Sequence, residues 1–260
     1  MEVLNTGGGD SIDRCPTQQV VRVLVLGSGG KDSSYATWWA TLRGWDVAGL
    51  VTIRVTGDDS MMFQVPSTAL AGMQAASAGI PWLPIPIEGD ENTEMHFLEE
   101  ALEGIVHGSQ KPRSPTWSSA ELRDACWPDG WVWPTNLLRL RASEPIDGLV
   151  VGAIRSDYQK TRIEQMCNRL GVKSFTPLWH HDGCSHMRDL ISHGHQVMLT
   201  SVSTEGLGEE WLGRILSKED VEELESLSEK FRFNIDGEGG EFETAVIHAP
   251  WMKSVIETKH

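Results

Sequence analysis

The chain has 260 residues, 40% hydrophobic and 23% charged, a composition typical of a globular protein with one large or two small domains. Its 22 basic and 37 acidic residues give a net charge of −15, which argues against the clustered Lys and Arg of a nucleic-acid surface. No apolar run approaches the roughly 18 residues of a membrane span, and the N-terminus lacks an apolar secretory core. We therefore expect a cytoplasmic protein without a membrane segment.

Apolar strands and amphipathic helices are expected to alternate through the first two thirds of the chain. Residues 21–27, VRVLVLG, predict a strand buried on both faces, because helices cover both sides of a parallel sheet. The same patterns predict strands at 46–55, 82–87 and 147–154, and helices at 33–44, 67–79, 92–105 and 157–171. This alternation predicts an α/β fold with a parallel sheet.

A long segment at 105–146, rich in Pro, Ser and Trp, interrupts this alternation. We expect little regular structure there, apart from a short helix at 118–126. Loops of this length are usually functional or disordered. Four tryptophans favour packing, either onto the body of the protein or onto a partner: Trp117, Trp127, Trp131 and Trp133.

A second group of elements is expected after the last predicted helix. It comprises an extended segment at 175–179, helices at 186–194 and 218–231, and strands at 195–204 and 241–250. We therefore expect a flexible tail at 1–20, a first domain at 21–172 that contains the insertion, and a smaller α/β domain at 173–260.

Cysteine and histidine spacing does not predict a metal centre. No two of the four cysteines stand in C-x-x-C spacing, so neither a zinc ribbon nor a disulfide framework is expected: Cys15, Cys126, Cys167 and Cys184. His181 and His186 are five residues apart, which does not match a helical i,i+4 metal pair. We expect loop and surface positions for the histidine group: His180, His181, His186, His193 and His195.

The stretch VLVLGSGGKDSS at 23–34 places a glycine-rich loop between the first strand and the first helix. Backbone N–H groups and the dipole at a helix start favour negative charge, and glycines let the backbone approach a phosphate closely. Lys31 adds a point charge, and Ser28, Ser33 and Ser34 add hydroxyl donors. The loop therefore predicts a polyphosphate site.

Spacing excludes two familiar phosphate-binding loops. The P-loop requires Ser or Thr directly after Gly-Lys and a glycine five positions before that pair's glycine, where this chain has Asp32 and Val25. The dinucleotide fingerprint begins with Gly27 and Gly29 but meets Asp32 in place of its third glycine.

The string SGGKDS resembles the pyrophosphate loop of the PP-loop ATP pyrophosphatases. The resemblance implies an adenine-nucleotide α-hydrolase-like, Rossmann-like domain that cleaves ATP between the α- and β-phosphates and adenylates a substrate oxygen. Asp32 is placed to help hold Mg²⁺, which prefers oxygen ligands, although the helix dipole alone also favours an acid there. The loop residues implied in ATP binding are Gly27, Ser28, Gly29, Gly30, Lys31, Asp32, Ser33 and Ser34.

Further stretches narrow the resemblance: DSMMFQVPS at 59–67, GAIRSDYQKTRIEQMCNRLG at 152–171, SVSTEGLGEEWLGR at 201–214 and GEGGEFETAVIHAPWMK at 237–253. With the loop, they resemble the diphthine–ammonia ligase (diphthamide synthase) family over most of 21–256 outside the insertion. The resemblance implies that ATP activates the diphthine carboxylate of translation elongation factor 2 as an acyl-adenylate. Ammonium then gives diphthamide, AMP and pyrophosphate, and the domain at 173–260 recognises the substrate.

Three acids surround the Gly239–Gly240 turn, namely Glu238, Glu241 and Glu243. They are candidates for attracting the trimethylammonium group of diphthine, or for positioning ammonium and taking its proton. Alternatively, they are solvated acids of a surface hairpin. With the resemblance, the residues implied in catalysis are Lys31, Asp32, Glu238 and Glu241, and Gly239, Gly240 and Glu243 are implied with Glu238 and Glu241 in substrate binding.

Tyr158, Gln159 and Arg162 lie at the start of a helix that follows a parallel strand, where such sheets place ligands. They are candidates for nucleotide or carboxylate contacts, and the alternative for Arg162 is a surface pair with a neighbour one turn away. Two other functions stay open. One is a related PP-loop enzyme that adenylates a small metabolite or tRNA, and the other is a non-catalytic nucleotide-binding module.

Overall fold

The computed structural model describes residues 20–55, 68–87, 91–108, 119–140, 144–153 and 155–258. The expected tail, except Val20, and the stretch at 59–67 lie outside the described residues.

Five parallel strands form the large sheet in the order β3-β2-β1-β4-β5. They are β1 (Arg22–Leu26), β2 (Asp46–Val55), β3 (Trp82–Ile87), β4 (Gly148–Val150) and β5 (Lys173–Phe175).

Helices cover both faces of this sheet, which confirms the predicted α/β class. Val23 and Val25 of β1 belong to one apolar cluster, and Leu24 and Leu26 belong to the other. This alternation explains why the strand is apolar at every position. The first cluster contains residues of α1 (Lys31–Leu42) and α2 (Thr68–Ala78), and the second contains residues of α3 (Glu91–Val106) and α5 (Asp157–Leu170).

The C-terminal part is smaller and packs on the α1 and α2 side of the sheet. Its antiparallel strands β6 (Gln196–Val202) and β7 (Phe242–His248) are flanked by α6 (Gly183–Ser192) and α7 (Lys218–Phe231). Its buried apolar residues, such as Val246, share one cluster with those of α1 and α2. The two parts therefore have a common core.

The expected boundary between the two parts, at 172/173, lies directly before β5. β5 pairs with β4 and completes the large sheet, so we propose a boundary after Phe175. The extended segment expected at 175–179 is wrong beyond Phe175. The chain turns there, and the Trp179 N–H group donates to the Thr176 carbonyl oxygen at 3.1 Å.

The described end of the insertion pairs with β3, an end strand of the large sheet, since the Leu140 N–H group donates to the Trp82 carbonyl oxygen at 3.0 Å. The expected short helix is confirmed as α4 (Ser119–Cys126). Trp127 and Trp133 pack against Trp82 of β3, with ring centroids 6.2 and 6.5 Å away. These two tryptophans therefore pack onto the body, whereas Trp131 is 48% exposed. Trp117 lies outside the described residues.

Two histidines contradict the expectation of loop and surface positions. His186 of α6 is fully buried, and His195, directly before β6, is 3% exposed. Neither ring nitrogen of His195 has a hydrogen-bond partner among the described residues. Burial, reinforced by neighbouring histidines, lowers the pKa of His195 from 6.5 to about 4.

Among the described residues, no helix is long and apolar enough to cross a membrane.

The structure describes three of the four cysteines. Cys126 and Cys167 are buried, Cys184 is partly exposed, and all three are free thiols. Burial raises the pKa of both buried thiols to about 11, as expected for inert core positions.

We expect His195 to make the protein sensitive to acid. The unfolded chain binds a proton at this residue below about pH 6.5, whereas the folded chain does so only below about pH 4, so unfolding takes up a proton in between. The free energy of unfolding should therefore fall by about 2 kcal/mol from about pH 7 to about pH 5. Urea unfolding at the two pH values measures this difference.

The variant His195→Leu should lose this part of the pH dependence, and the exposed control His107→Gln should keep it. Equal pH dependence in the wild type and in His195→Leu would contradict the assignment.

Candidate functional site

A cavity of about 300 Å³ lies at the carboxyl end of β1. Because β2 and β4 flank β1 on opposite sides, this is the point where the strand order reverses and where open α/β sheets place ligands. The cavity is lined by the loop after β1, by the ends of β2 and β4, by the start of α5, and by the turn before β7. Its polar and glycine lining includes Gly27, Ser28, Gly30, Lys31, Asp32, Ser33, Thr52, Gly152, Gln159, Gly237, Glu238, Glu243 and Thr244.

The loop after β1 is held by residues distant in the sequence. Gly29 has φ of +86°, a left-handed conformation that favours glycine. Its carbonyl oxygen accepts hydrogen bonds from the Val246 N–H group at 3.0 Å and from Nε2 of the buried Gln74 at 2.9 Å. The Lys31 N–H group donates to Oγ1 of Thr244 at 3.2 Å. Strand β7 and helix α2 therefore fix the loop conformation.

The serines of the loop have different environments. Ser28 and Ser33 line the cavity, and the Ser28 N–H group donates to Oγ of Ser33 at 3.2 Å. Ser34 is buried, and its Oγ accepts a hydrogen bond from Nε1 of Trp251 at 3.1 Å. Of the residues proposed to bind ATP, the structure places all but Gly29 and Ser34 in the described cavity lining.

Lys31 and Asp32 form an ion pair in the first turn of α1. Lys31 is 5% exposed, and its Nζ lies 2.8 Å from Oδ2 of Asp32. Oδ1 of Asp32 lies 2.8 Å from Nε2 of His186. Burial opposes ionisation of Asp32, but the Lys31 ammonium group and the His186 hydrogen bond outweigh it and lower the pKa of Asp32. Asp32 is therefore ionised at neutral pH.

Glu238 and Glu243 line the same cavity and have the opposite pKa shift. Burial raises the pKa of Glu238, and the charge of Asp32 raises it further, against the effect of Lys31. Burial likewise raises the pKa of Glu243, opposed by Lys31 and reinforced by Asp32. The cavity thus combines the Lys31 ammonium group with two glutamates whose pKa values are raised, an arrangement favourable for proton transfer.

Glu241 has a different place from the other two acids. Its carboxylate accepts hydrogen bonds from the Asn234 N–H group at 2.9 Å and from the Gly239 N–H group at 2.8 Å. Glu241 therefore closes the turn that carries Gly239 and Gly240, and among the described residues none of these three lines the cavity. Gly240 has φ of +81°, as such a turn requires.

The three candidate residues on α5 also differ in whether they line the cavity. Ser156 caps the helix by accepting the Gln159 N–H group at 3.2 Å, which sets Gln159 at the cavity. Tyr158 is 42% exposed, and the Arg162 guanidinium donates to its hydroxyl group. Within the described part of the chain, only Gln159 of these three candidates lines the cavity.

Three residues that support the cavity were not predicted from the sequence, namely His186, Asp236 and Arg155. His186 does not have the i,i+4 spacing of a helical metal pair, and its partner Asp32 is 154 residues away. Asp236, which is fully buried, pairs with Arg155 at 2.8 Å, and this pair links the loop after β4 to the turn before β7. The sequence signal for Arg155 was its place in the stretch at 152–171, two residues before the predicted helix 157–171.

The described residues contain no group of three or more His, Cys, Asp or Glu side chains that could hold a metal ion. Asp32 supplies the carboxylate of the loop, and both of its oxygens already have protein partners. A cation bound beside Asp32 would therefore need oxygen atoms of a bound polyphosphate in addition to those of the protein.

Gly152 allows the loop after β4 to approach the start of α1. A Cβ atom added at Gly152 would lie 2.6 Å from the Asp32 carbonyl carbon. We expect Gly152→Ala to displace the first turn of α1 and to weaken ATP binding at least about tenfold, because backbone cannot yield as a flexible side chain does. Isothermal titration calorimetry with ATP measures the effect.

The matched control is Gly171→Ala, whose added Cβ meets nothing within 4 Å but requires φ of +70°. It should lose about 1 kcal/mol of stability and keep its ATP affinity. Equal ATP affinities of the two variants would contradict the proposed role of this close approach.

Comparisons with known proteins agree with this architecture. The family model described as the diphthamide synthase N-terminal domain matches residues 21–109 and 135–174, and that described as the diphthamide synthase C-terminal domain matches 182–260. A solved structure described as a predicted subunit of tRNA methyltransferase from Methanocaldococcus jannaschii is 18% identical, covers 89% of this chain and 98% of that chain, and has a TM-score of 0.37. A score this low supports no conclusion.

Curated relatives are similar over nearly the whole chain. Diphthine–ammonia ligase of Danio rerio is 30% identical over 243 residues, which cover 91% of this chain and 86% of that protein. The Homo sapiens protein of the same name is 29% identical, with 91% and 82% covered. The Schizosaccharomyces pombe protein is also 29% identical, but the match covers 36% of that longer protein. The chain belongs to the diphthamide synthase family.

Proposed function

We propose that the protein is an ATP-dependent diphthine–ammonia ligase, which amidates the diphthine carboxylate of translation elongation factor 2. The observation that carries the proposal is the shared cavity of the Lys31 loop and of Glu238 and Glu243. The reaction needs a site for a leaving polyphosphate beside a site for a cationic nitrogen, and the cavity offers both. The activity named for the family's curated relatives supports the same reaction.

The loop after β1 is suited to the phosphates of ATP. The first residues of α1 line the cavity, where the positive end of the helix dipole favours bound phosphate. Lys31 supplies a full positive charge, and Ser28 and Ser33 supply hydroxyl groups. These groups would stabilise the charge that develops on pyrophosphate as it leaves.

The reaction proceeds in two balanced steps. A carboxylate oxygen of diphthine attacks the α-phosphorus of ATP, the bond between the α-phosphorus and the bridging oxygen breaks, and pyrophosphate leaves with that bond's electron pair. Ammonia then attacks the carbonyl carbon of the acyl-adenylate, and AMP leaves. Ammonium must lose one proton before this attack, and the resulting amide nitrogen loses a second.

Glu238 and Glu243 are our candidates for the nitrogen substrate. Their carboxylates would attract ammonium into the cavity, and their raised pKa values make them better proton acceptors than an ordinary glutamate. The trimethylammonium group of diphthine is a second cation that the same acids would attract. For Glu241 we propose a role in shaping the turn that presents Glu238.

Magnesium fits the site as an ion shared with the phosphates of ATP. Asp32 is ionised and lines the cavity, and Mg²⁺ prefers a few carboxylates together with phosphate oxygens and water. The bound ion would neutralise phosphate charge. Lys31, Asp32 and the start of α1 would orient the triphosphate.

We place nucleotide binding in the part up to Phe175 and recognition of the protein substrate in the C-terminal part, with the cytoplasm as the compartment. The net charge of −15 disfavours binding of the polyanionic backbone of nucleic acid. Tyr158 is exposed near the start of α5 and accepts a hydrogen bond from the partly buried Arg162, and both residues are candidate contacts for elongation factor 2.

The proposal is tested with elongation factor 2 that carries diphthine, together with ATP and ammonium. Mass spectrometry should detect conversion of the carboxylate to the amide. Lys31→Ala should lower the rate at least about 100-fold, since one charge at the leaving group is lost. Glu243→Gln should raise the KM for ammonium about tenfold, and the exposed control Glu229→Gln should match the wild type.

ATP consumption without amide formation would contradict the proposed substrate. AMP release stimulated by a small carboxylate or by tRNA, and indifferent to elongation factor 2, would instead favour a related adenylating enzyme. Tight ATP binding with no AMP formed under any of these mixtures would favour a nucleotide-binding module.

A further inference from the structure

His186 brings the C-terminal part of the protein into contact with the nucleotide loop. It lies on α6 and is fully buried, and its Nε2 atom is 2.8 Å from Oδ1 of Asp32 in the first turn of α1. The Tyr35 ring, one turn further along α1, packs edge-on against the imidazole, with centroids 5.1 Å apart. The imidazole is therefore held between packing on one side and a charged acceptor on the other.

The hydrogen-bond partners of His186 determine its tautomer. An ionised carboxylate only accepts hydrogen bonds, so Nε2 of His186 is the donor and carries the proton. Nδ1 is buried and has no hydrogen-bond partner among the residues that the structure describes. The hydrogen bond that Nε2 donates to Asp32 is therefore the only side-chain hydrogen bond found for this imidazole among the described residues.

This bond completes a chain of contacts that ends in the cavity. Oδ1 of Asp32 is held by His186, and Oδ2 of Asp32 is 2.8 Å from Nζ of Lys31. Because both oxygens are held, the orientation of the Asp32 carboxylate is fixed, and with it the place of the Lys31 ammonium group. His186 itself is not among the described residues that line the cavity.

We propose that His186 is a positioning residue that holds Asp32, and through it Lys31, in the orientation that receives the phosphates of ATP. Its kinetic consequence rests on the function proposed above, whereas its consequence for ATP binding does not. Without the bond, one oxygen of the half-buried Asp32 loses its donor, and the carboxylate and the Lys31 ammonium group relax together. Such small displacements of charged groups reduce both ligand affinity and turnover.

The test compares two substitutions at the same position. His186→Leu removes the donor and keeps an apolar side chain, whereas the side-chain amide of His186→Gln can place a nitrogen donor near the position of Nε2. The control is His195→Leu, which removes another buried histidine that has no hydrogen bond to Asp32. Thermal unfolding first establishes that all variants are folded.

Calorimetry with Mg²⁺ and ATP should show about tenfold weaker binding for His186→Leu, because a hydrogen bond to a charged group is lost. His186→Gln should bind within about threefold of the wild type, and His195→Leu should bind as the wild type does. In the amidation assay, kcat of His186→Leu should fall about tenfold, with the KM for the protein substrate nearly unchanged.

Equal behaviour of His186→Leu and His186→Gln, whether both resemble the wild type or both are equally impaired, would overturn the proposal. A loss of ATP affinity in His195→Leu as large as that in His186→Leu would also overturn it. If the wild type binds ATP and forms no amide, the proposed function fails, while the calorimetric comparison still decides the role of His186.

Discussion

The Gly29 carbonyl oxygen connects both halves of the site. It accepts hydrogen bonds from the Val246 backbone of β7 and from the Gln74 side chain of α2, and both donors are buried. Gly29 adopts a left-handed backbone conformation, which sets the orientation of its carbonyl group. Since β7 also carries Glu243 and Thr244, one local backbone geometry fixes the phosphate-binding loop relative to the acids. The C-terminal part of the protein therefore helps to fix the conformation of the phosphate-binding loop.

The electrostatics of the cavity follow from this closeness. Lys31 and the start of α1 favour anions, whereas Glu238 and Glu243 favour cations, and burial in one cavity makes each group sensitive to the other. Asp32 interacts electrostatically with Lys31 and with both glutamates. Its ion pair with Lys31 keeps it ionised, and its charge in turn raises the pKa of both glutamates. A site that joins a carboxylate to ammonia by means of ATP needs this juxtaposition of opposite charges.

Local sequence was sufficient for the sheet and for the nucleotide loop. β1 is apolar at every position because both faces are covered, and the glycine-rich loop with Lys31 follows it directly, so short-range pattern and local chemistry agree. The acids near Gly239 were harder to assign. A sequence does not show which of them turns back to cap its own loop, as Glu241 does, and which faces the cavity, as Glu243 does. His186 and Asp236 were missed because their partners are distant in the sequence.

The products formed from ATP report which phosphate bond is cleaved when the triphosphate lies against the loop after β1. The intact protein would be given ATP, ammonium and diphthine-bearing elongation factor 2, and the nucleotide product would be separated by chromatography. We expect AMP and pyrophosphate, formed only when the factor is present. ADP and inorganic phosphate would contradict it, since they would mean that the loop after β1 directs attack at the γ-phosphate.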